Sequence, residues 1–116
     1  MNHRHSASPS LVPSKSDDVF ESAAEVFRVM SAPMRLRIIN CLCDGEKNVG
    51  ELLQAIDTTQ PNMSQHLNTL YKAGVLAKRR EGVQIFYHIA NQKVVNICRA
   101  VCMQVELSRD DDMATA

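Results

Sequence analysis

The first part of the chain with large apolar residues shows a helical pattern. Between Asp17 and Ser31, apolar side chains recur at steps of three and four residues, which places them on one face of an α-helix. Asp17 or Asp18 offers an N-cap, and the helix is expected to end near Ser31. The apolar positions of this face are Val19, Phe20, Ala23, Ala24, Phe27 and Met30.

Two shorter helices are predicted to follow. Pro33 suits the first turn of the second helix, which contains MRLRIINCLC and is stopped by Asp44-Gly45. The segment VGELLQAI, residues 49–56, predicts a third helix. Its inward aliphatic residues are expected to be Val49, Leu52, Leu53 and Ile56.

The segment TTQPNMSQHLNTLYKAG, residues 58–74, predicts a fourth helix with two different faces. Thr59 suits the N-cap, and Pro61 lies in the first turn, where its missing N–H costs little. At about 100 degrees per residue, the sector expected to pack on the domain contains Met63, Leu67, Leu70, Tyr71 and Gly74. The opposite sector is polar and contains Gln65, Asn68, Thr69 and Lys72, with Asn62 beside them.

After Gly74 the period of the pattern falls to two. The segment VLAKRREGVQIFYHI predicts a β-hairpin with its tip at Glu81-Gly82. Asn91 then caps a fifth helix with an apolar stripe about three turns long. The stripe contains Val94, Ile97, Cys98, Val101, Cys102 and Val105.

Length and composition fit one compact domain. A chain of 116 residues, 45% of them hydrophobic and 22% charged, is long enough for one core and too short for two. Residues 1–16 are rich in Ser, Pro and His and are predicted to be a disordered arm. The folded domain is placed at residues 17–108, and residues 109–116 are expected to be an acidic, solvated tail.

Charge is distributed unevenly, although the formal net charge is zero. Residues 58–93 contain five basic side chains and one acidic side chain, a local charge of +4, while acidic residues concentrate near the two ends. This asymmetry indicates an anion-binding face. The basic residues of this segment are Lys72, Lys78, Arg79, Arg80 and Lys93, and the acidic residue is Glu81.

Several functional classes are disfavoured. No apolar run approaches the roughly 18 residues of a membrane span, and the N-terminus lacks the apolar core of a secretion signal. We therefore expect a cytoplasmic protein without a membrane partner. Phosphate-binding Gly-rich loops, G-x-S-x-G and H-E-x-x-H are absent, so neither an enzyme nor a bound cofactor is expected.

The polar face of the fourth helix suits recognition of double-stranded DNA. Amide side chains can pair with base edges in the major groove, while Lys72 and Ser64 suit phosphates. Short helices followed by this helix and a basic hairpin form the layout of a winged helix-turn-helix. The expected contacts are Asn62, Ser64, Gln65, Asn68, Thr69, Lys72, Arg79 and Arg80.

Two other interpretations of this face stay open. It could be an ordinary solvent-facing surface, or the chain could be a protein-interaction module that does not bind DNA. Salt dependence separates the latter from a DNA-binding protein, because DNA affinity falls with a log–log slope of roughly −0.9 per phosphate contact.

Four segments resemble the ArsR/SmtB family of bacterial homodimeric repressors: VFRVMSAPMRLRIINCL, NVGELLQAI, QPNMSQHLNTLYKAGVL and RREGVQIFYHI. The resemblance, over residues 25–99, implies a mostly α-helical winged helix-turn-helix with a β-hairpin wing. It also implies a homodimer through the first and fifth helices, and an operator that is released when an inducer binds or oxidises the protein. The family's recognition positions correspond to Asn62, Ser64, Gln65 and His66.

Two metal sites of the family have no counterpart in this chain. The Cys-Val-Cys motif of the thiolate sensors falls on Asn48-Val49-Gly50. The zinc ligands of the fifth helix fall on Asn91, Lys93, Gln104 and Leu107. We therefore expect neither of these metal sites.

Four cysteines are the candidate sensing groups, because thiols in a reducing compartment are more often free, ligating or redox-active than structural. The two in the fifth helix are one turn apart, with Cβ atoms roughly 6 Å apart, too far for a direct disulfide. The two in the second helix lie about 200 degrees apart around its axis, so at most one can face a given partner. The candidates are Cys41, Cys43, Cys98 and Cys102.

Persulfide-responsive members of the family resemble this arrangement, because sulfur atoms link a cysteine of the second helix to one of the fifth. In this chain the corresponding positions are Asn40 and a site near Val105 or Glu106, so the register differs. The resemblance implies reactive sulfur species as the small inorganic inducer.

Two alternatives for the thiols remain. Arsenite, antimonite or a soft metal ion could be held by Cys98, Cys102 and a third thiol, since soft ions favour two or three thiolates. All four cysteines could instead be packing residues, because cysteine is among the most buried residue types.

Overall fold

The computed structural model describes residues 10–12 and 17–115, with side chains as far as Asp110. This part of the chain forms a mostly helical fold with a small antiparallel sheet, as predicted. The disordered arm predicted for residues 1–16 lies outside the described residues except for 10–12. The elements are α1 Asp17–Met30, α2 Pro33–Leu42, β1 Lys47–Asn48, α3 Val49–Ala55, α4 Gln60–Lys72, β2 Leu76–Glu81, β3 Gln84–Ile89 and α5 Gln92–Thr115.

Strands β2 and β3 form the wing. They pair in antiparallel fashion to the end of the hairpin, where Glu81 lies opposite Gln84. Gly82 has φ +63°, a left-handed conformation that suits the first position of a two-residue turn. The tip is therefore Gly82-Val83, one residue beyond the predicted Glu81-Gly82.

A third strand, β1, pairs with β3 on the edge opposite β2. It was not predicted, because two residues are too few to show an alternating pattern. It continues directly into α3, whose first turn is closed by a capping box between Asn48 and Glu51.

The buried face of α4 is confirmed at Met63, Leu67 and Leu70, which are all fully buried. Two other residues expected on this face do not pack there. Tyr71 is 40% exposed, and Gly74, at φ +79°, lies past the end of the helix. The N–H of Gly74 donates to the carbonyl of Tyr71 and that of Val75 to Leu70, so this glycine terminates the helix.

Helix α5 differs from its prediction in length and in its buried position. It continues to Thr115, through the segment expected to be a solvated tail, because no Gly or Pro follows Gly82 to interrupt it. Val95, which was not in the predicted stripe, is 1% exposed and anchors the helix to the core. Asn91 caps the helix as predicted, because its side chain accepts from the N–H of Val94.

The apolar stripes of α1 and α5 are only partly covered within one chain. Val29 and Met30 at the end of α1 are buried, but several large apolar residues of the two helices remain exposed. These are Val19, Phe20, Val26 and Phe27 of α1 and Ile97, Val101, Met103, Val105 and Leu107 of α5.

Candidate DNA-binding surface and cysteine pocket

The outward face of α4 presents polar side chains held by a rigid helix. Thr59 accepts from the N–H of Asn62 and caps the helix as predicted, and the buried face opposite holds the helix on the core. Ser64, Gln65, Asn68 and Lys72 are exposed, as major-groove contacts require.

Other candidate contacts of α4 are engaged within the protein. The Asn62 side-chain amide donates to the hydroxyl of Thr58 at 2.8 Å. The Thr69 hydroxyl donates to the carbonyl of Gln65 at 3.1 Å and is half-buried. Both side chains therefore have less freedom to meet a base than their exposed neighbours.

His66 is half-buried and faces Arg35 of α2. The Arg35 Nη1 lies 3.1 Å from the His66 Nδ1, and the Arg35 Nε donates to the carbonyl of Val29 at the end of α1. Burial, followed by the charge of Arg35, lowers the pKa of His66 below its ordinary value. The histidine is therefore held neutral, with Nδ1 as the acceptor.

Two adjacent arginines of the wing have different surroundings. Arg79 forms ion pairs with Glu46 and Glu81 and lies over the ring of Phe86, with its guanidinium carbon 4.7 Å from the ring centroid. These carboxylates raise the pKa of Arg79, and its hydrogen bond lowers the pKa of Glu46. Arg80 is exposed and lies opposite Ile85 in the hairpin.

The wing also contacts the C-terminal end of α4. The Lys78 ammonium lies 4.3 Å from the centroid of the Tyr71 ring, a cation–π distance. This contact explains why Tyr71 faces the wing instead of the core. It places a basic group of β2 beside the helix that carries Lys72.

A cavity of about 220 Å³ between α2 and α5 brings three of the four cysteines together. Cys43, at the end of α2, shares its walls with two thiols of α5. The family's sulfur-linked cysteines are expected at Asn40 and near Val105 or Glu106, and of these residues Asn40 and Glu106 line the same cavity. The α5 thiols are Cys98 and Cys102. Cys43 and Cys102 are thus displaced by about one helical turn from Asn40 and Glu106, and Cys98 by about two turns from Glu106, yet all three share one cavity.

The three thiols of this cavity differ in environment. The Arg99 Nη2 donates to the Cys43 sulfur at 3.7 Å, and Cys43 is exposed. Cys102 is also exposed, while Cys98 is half-buried. Burial, followed by the neighbouring Cys102, raises the pKa of Cys98 and keeps it protonated.

Cys41 lies apart from this cavity. It is half-buried, packs against the core and lines a separate pocket with Met34, Arg37 and Asp57. The two thiols of α2 therefore face different surroundings, as their spacing predicted.

An apolar groove of about 540 Å³ runs between α1 and α5. Phe27 and Met30 of α1 line one side, and Val94, Ile97 and Val101 of α5 line the other. A groove of this character on a single chain is typical of a surface that another polypeptide covers.

Across residues 10–12 and 17–115, no helix combines the length and apolar character needed to cross a membrane. Within the same described ranges, no three His, Cys, Asp or Glu side chains are arranged to hold a metal ion.

The sequence patterns missed Arg35, Glu46 and Arg99 as parts of these sites. Each contacts its partner across 31 to 56 residues of chain. The basic character of Arg35 and Arg99 was visible in the sequence, but no local spacing indicated which helix each would meet.

Comparison with known proteins gives a consistent result. Residues 32–78 match the model of a family described as bacterial regulatory proteins of the arsR family. An uncharacterised HTH-type transcriptional regulator of Methanocaldococcus jannaschii is 37% identical over 83 residues, which are 71% of this chain and 93% of the relative.

Two solved structures extend the similarity to the fold. The transcriptional repressor BigR from Xylella fastidiosa has a TM-score of 0.64 and 35% identity, over 73% of this chain and 90% of that one. The homodimeric winged helix-turn-helix DNA-binding domain of Mb0332 from Mycobacterium bovis has a TM-score of 0.71 and 25% identity, over 86% and 90% of the two chains.

Proposed function

The chain belongs to the arsR family of bacterial regulatory proteins, and we propose that it is a homodimeric repressor that leaves its operator when reactive sulfur links α2 to α5. Members of this family are DNA-binding transcriptional regulators and not enzymes. The proposal adds the DNA contacts, the second subunit and the inducer.

The exposed face of α4 supports a role in reading operator DNA. Gln65 and Asn68 present amides that can pair with base edges, and Ser64 and Lys72 beside them suit phosphates. Arg80 of the wing supplies an exposed cation that can bind the phosphate backbone of the DNA. Arg79 contributes less, because two carboxylates neutralise it.

The groove between α1 and α5 supports a homodimer. Phe27 is 61% exposed and Val101 58% exposed, an unfavourable state for large apolar side chains in water. A second copy that covers this groove with its own α1 and α5 would form a two-fold symmetric interface. The Mycobacterium bovis domain is likewise described as homodimeric.

The cavity shared by Cys43 and the α5 thiols is the observation that carries the sulfur mechanism. Cys43 is exposed to a reagent, and the Arg99 Nη2 donates to its sulfur at 3.7 Å. Cys102 is the better partner in α5, because it is exposed, whereas Cys98 is half-buried and burial raises its pKa. We therefore assign the link to Cys43 and Cys102.

The reaction needs a persulfide donor, RSSH. The Cys43 thiolate takes the outer sulfur atom and releases the thiol RSH, and Cys102 reacts in the same way. The two protein persulfides then condense to a trisulfide and release hydrogen sulfide. This link ties α2, which packs against α4, to the dimer helix α5, and so changes the position of the reading helix.

Intact mass and DNA binding test this mechanism together. Reduced protein bound to operator DNA is treated with a persulfide donor, and the products are analysed by mobility shift and peptide mapping. We expect a Cys43–Cys102 trisulfide and loss of the shifted band. The variants Cys43→Ser and Cys102→Ser should keep their DNA, while the control Cys41→Ser should release it.

Other outcomes separate the remaining candidates. If the persulfide donor releases DNA from Cys41→Ser and no trisulfide forms in any variant, the Cys43–Cys102 link is excluded. Release by arsenite alone would favour a soft-ion sensor, although no three potential ligands are preorganised within the described part of the chain. Binding that does not weaken as salt rises would favour the protein-interaction module.

A further inference from the structure

One guanidinium joins three helices at the middle of α4. Arg35 of α2 donates through Nε to the carbonyl of Val29 in the last turn of α1. Its Nη1 lies 3.1 Å from Nδ1 of His66 in α4. Arg35 and His66 are both half-buried, and Val29 is buried.

The partners of Arg35 are unusual for an arginine in a protected position. Among the described residues, Arg35 donates hydrogen bonds to a backbone carbonyl and to a neutral imidazole. Within the same part of the chain it forms no ion pair with a carboxylate. Such an arrangement gives geometric specificity, because both acceptors must be placed correctly around a rigid planar group.

We propose that Arg35 is a positioning residue that fixes both the angle of α4 and the tautomer of His66, so that the His66 Nε2–H is a constant donor toward an acceptor on operator DNA. The bond to Nδ1 requires that nitrogen to be unprotonated, which places the hydrogen on Nε2. Acceptors of this kind are phosphate oxygens or the N7 and O6 atoms of guanine. The inference rests on the proposed role of α4 in reading DNA and is independent of the sulfur mechanism.

The same contact makes DNA binding sensitive to acid. Protonation would turn His66 Nδ1 into a donor facing the Arg35 donor, so the link between α2 and α4 would break. Arg35 is the charged group recorded as acting on His66 among the described residues, and α1 contributes the Val29 carbonyl. The pKa of His66 in the folded protein lies below the ordinary value of about 6.5. The contact between Arg35 and His66 is therefore intact above about pH 6.5 and is lost as the pH falls through the pKa of His66 in the folded protein.

Operator affinity and the histidine spectrum test this role in the full chain. Arg35→Gln should weaken operator binding roughly tenfold, the effect of one lost charge-assisted hydrogen bond. The control Arg37→Gln removes the same charge from an exposed position two residues away and should change affinity by less than about threefold. Arg35→Lys, which cannot bridge both acceptors, should give an intermediate value.

Nitrogen NMR of the His66 ring supplies a readout that does not depend on DNA. In the wild type we expect an unprotonated Nδ1 at neutral pH, and in Arg35→Gln a mixture of tautomers with a raised pKa. His66→Gln, which removes the titrating ring, should remove the loss of operator binding that the wild type shows as the pH falls through the lowered pKa of His66.

Two results would contradict the positioning role of Arg35. One is a His66 ring that carries its hydrogen on Nδ1. Another is Arg35→Lys binding as tightly as the wild type, which would reduce the role of Arg35 to its charge. A wild type that binds no operator would contradict the proposed function instead, and the NMR result would still decide the tautomer.

Discussion

Arg79 and Arg80 are neighbours in β2, yet their charges are available to very different degrees. Arg79 is held by Glu46 and Glu81 and rests on Phe86, whereas Arg80 is exposed. An arginine that is already paired must give up those bonds before it can bind a phosphate. Single side chains of the same type on one strand therefore contribute unequally to an anion-binding surface.

Glu46→Gln tests this difference at Arg79. Removal of the carboxylate should free the Arg79 guanidinium and tighten DNA binding, with a salt slope steeper by up to about 0.9 if one phosphate contact is gained. The measurement is a salt titration of DNA affinity. Glu21→Gln, the same substitution on exposed α1, is the control, and an equal effect in both variants would show that only net charge matters.

Gln65 is the exposed amide on which sequence preference is expected to depend. Gln65→Ala should reduce the preference for operator over unrelated DNA by about 1–3 kcal/mol, the value of one bidentate base contact. The dimer should stay intact, because the side chain lies on the outer face of α4. Unchanged preference in a competitive mobility shift would argue against α4 as the reading helix.

At the scale of elements, the ends of helices decide which groups can meet. Helix α2 ends at Leu42, so Cys43 lies at its C-cap and reaches the cavity shared with α5, while Cys41 faces elsewhere. The end of α4 at Gly74 similarly allows the chain to reverse into the wing. Termination signals in the sequence thus position both Cys43 and the basic hairpin.

Gly74→Ala should destabilise the fold without creating a clash. Gly74 has φ +79°, and a Cβ at this position would meet no atom within 4 Å, so the cost is that of the left-handed backbone, about 1–2 kcal/mol. Chemical denaturation measures the free energy of unfolding. Gly50→Ala, in α3 at a negative φ, is the control and should be neutral or stabilising.

At the scale of the whole molecule, α1 and α5 are incomplete in one chain. Their apolar side chains line a groove of about 540 Å³ instead of a closed core. Helix α4 packs on the buried core, to which the described residues of α1 and α5 contribute only Val29, Met30 and Val95 as buried apolar residues. Dimerisation would therefore add stability to α1 and α5 and set the separation of two α4 helices, which governs operator spacing.

Val101→Glu should convert the dimer to a monomer, because it places a carboxylate in the apolar groove between α1 and α5. Sedimentation or light scattering at several concentrations measures the change. Leu107→Glu is the matched control, since this exposed residue lies about 240 degrees further around α5. A monomeric wild type, or equal dissociation of both variants, would contradict the proposed interface.

Local patterns in the chain were enough to predict the five helices, the hairpin and the buried face of α4. Helical periodicity and end signals depend on residues within one or two turns of each other, so they are readable without a fold. The two-residue β1, the full length of α5 and the buried Val95 were missed, because each depends on tertiary contacts or on the absence of a stop signal.

The choice among similar side chains required the folded arrangement. Arg35 pairs with His66, Arg79 with Glu46, and Cys43 shares a cavity with Cys102, in each case across at least 31 residues of sequence. The sequence gives the residue types, and their spacing indicates on which face of a helix or strand they lie. Their partners depend on how separate elements pack, because packing alone brings distant residues within hydrogen-bonding distance or into one cavity.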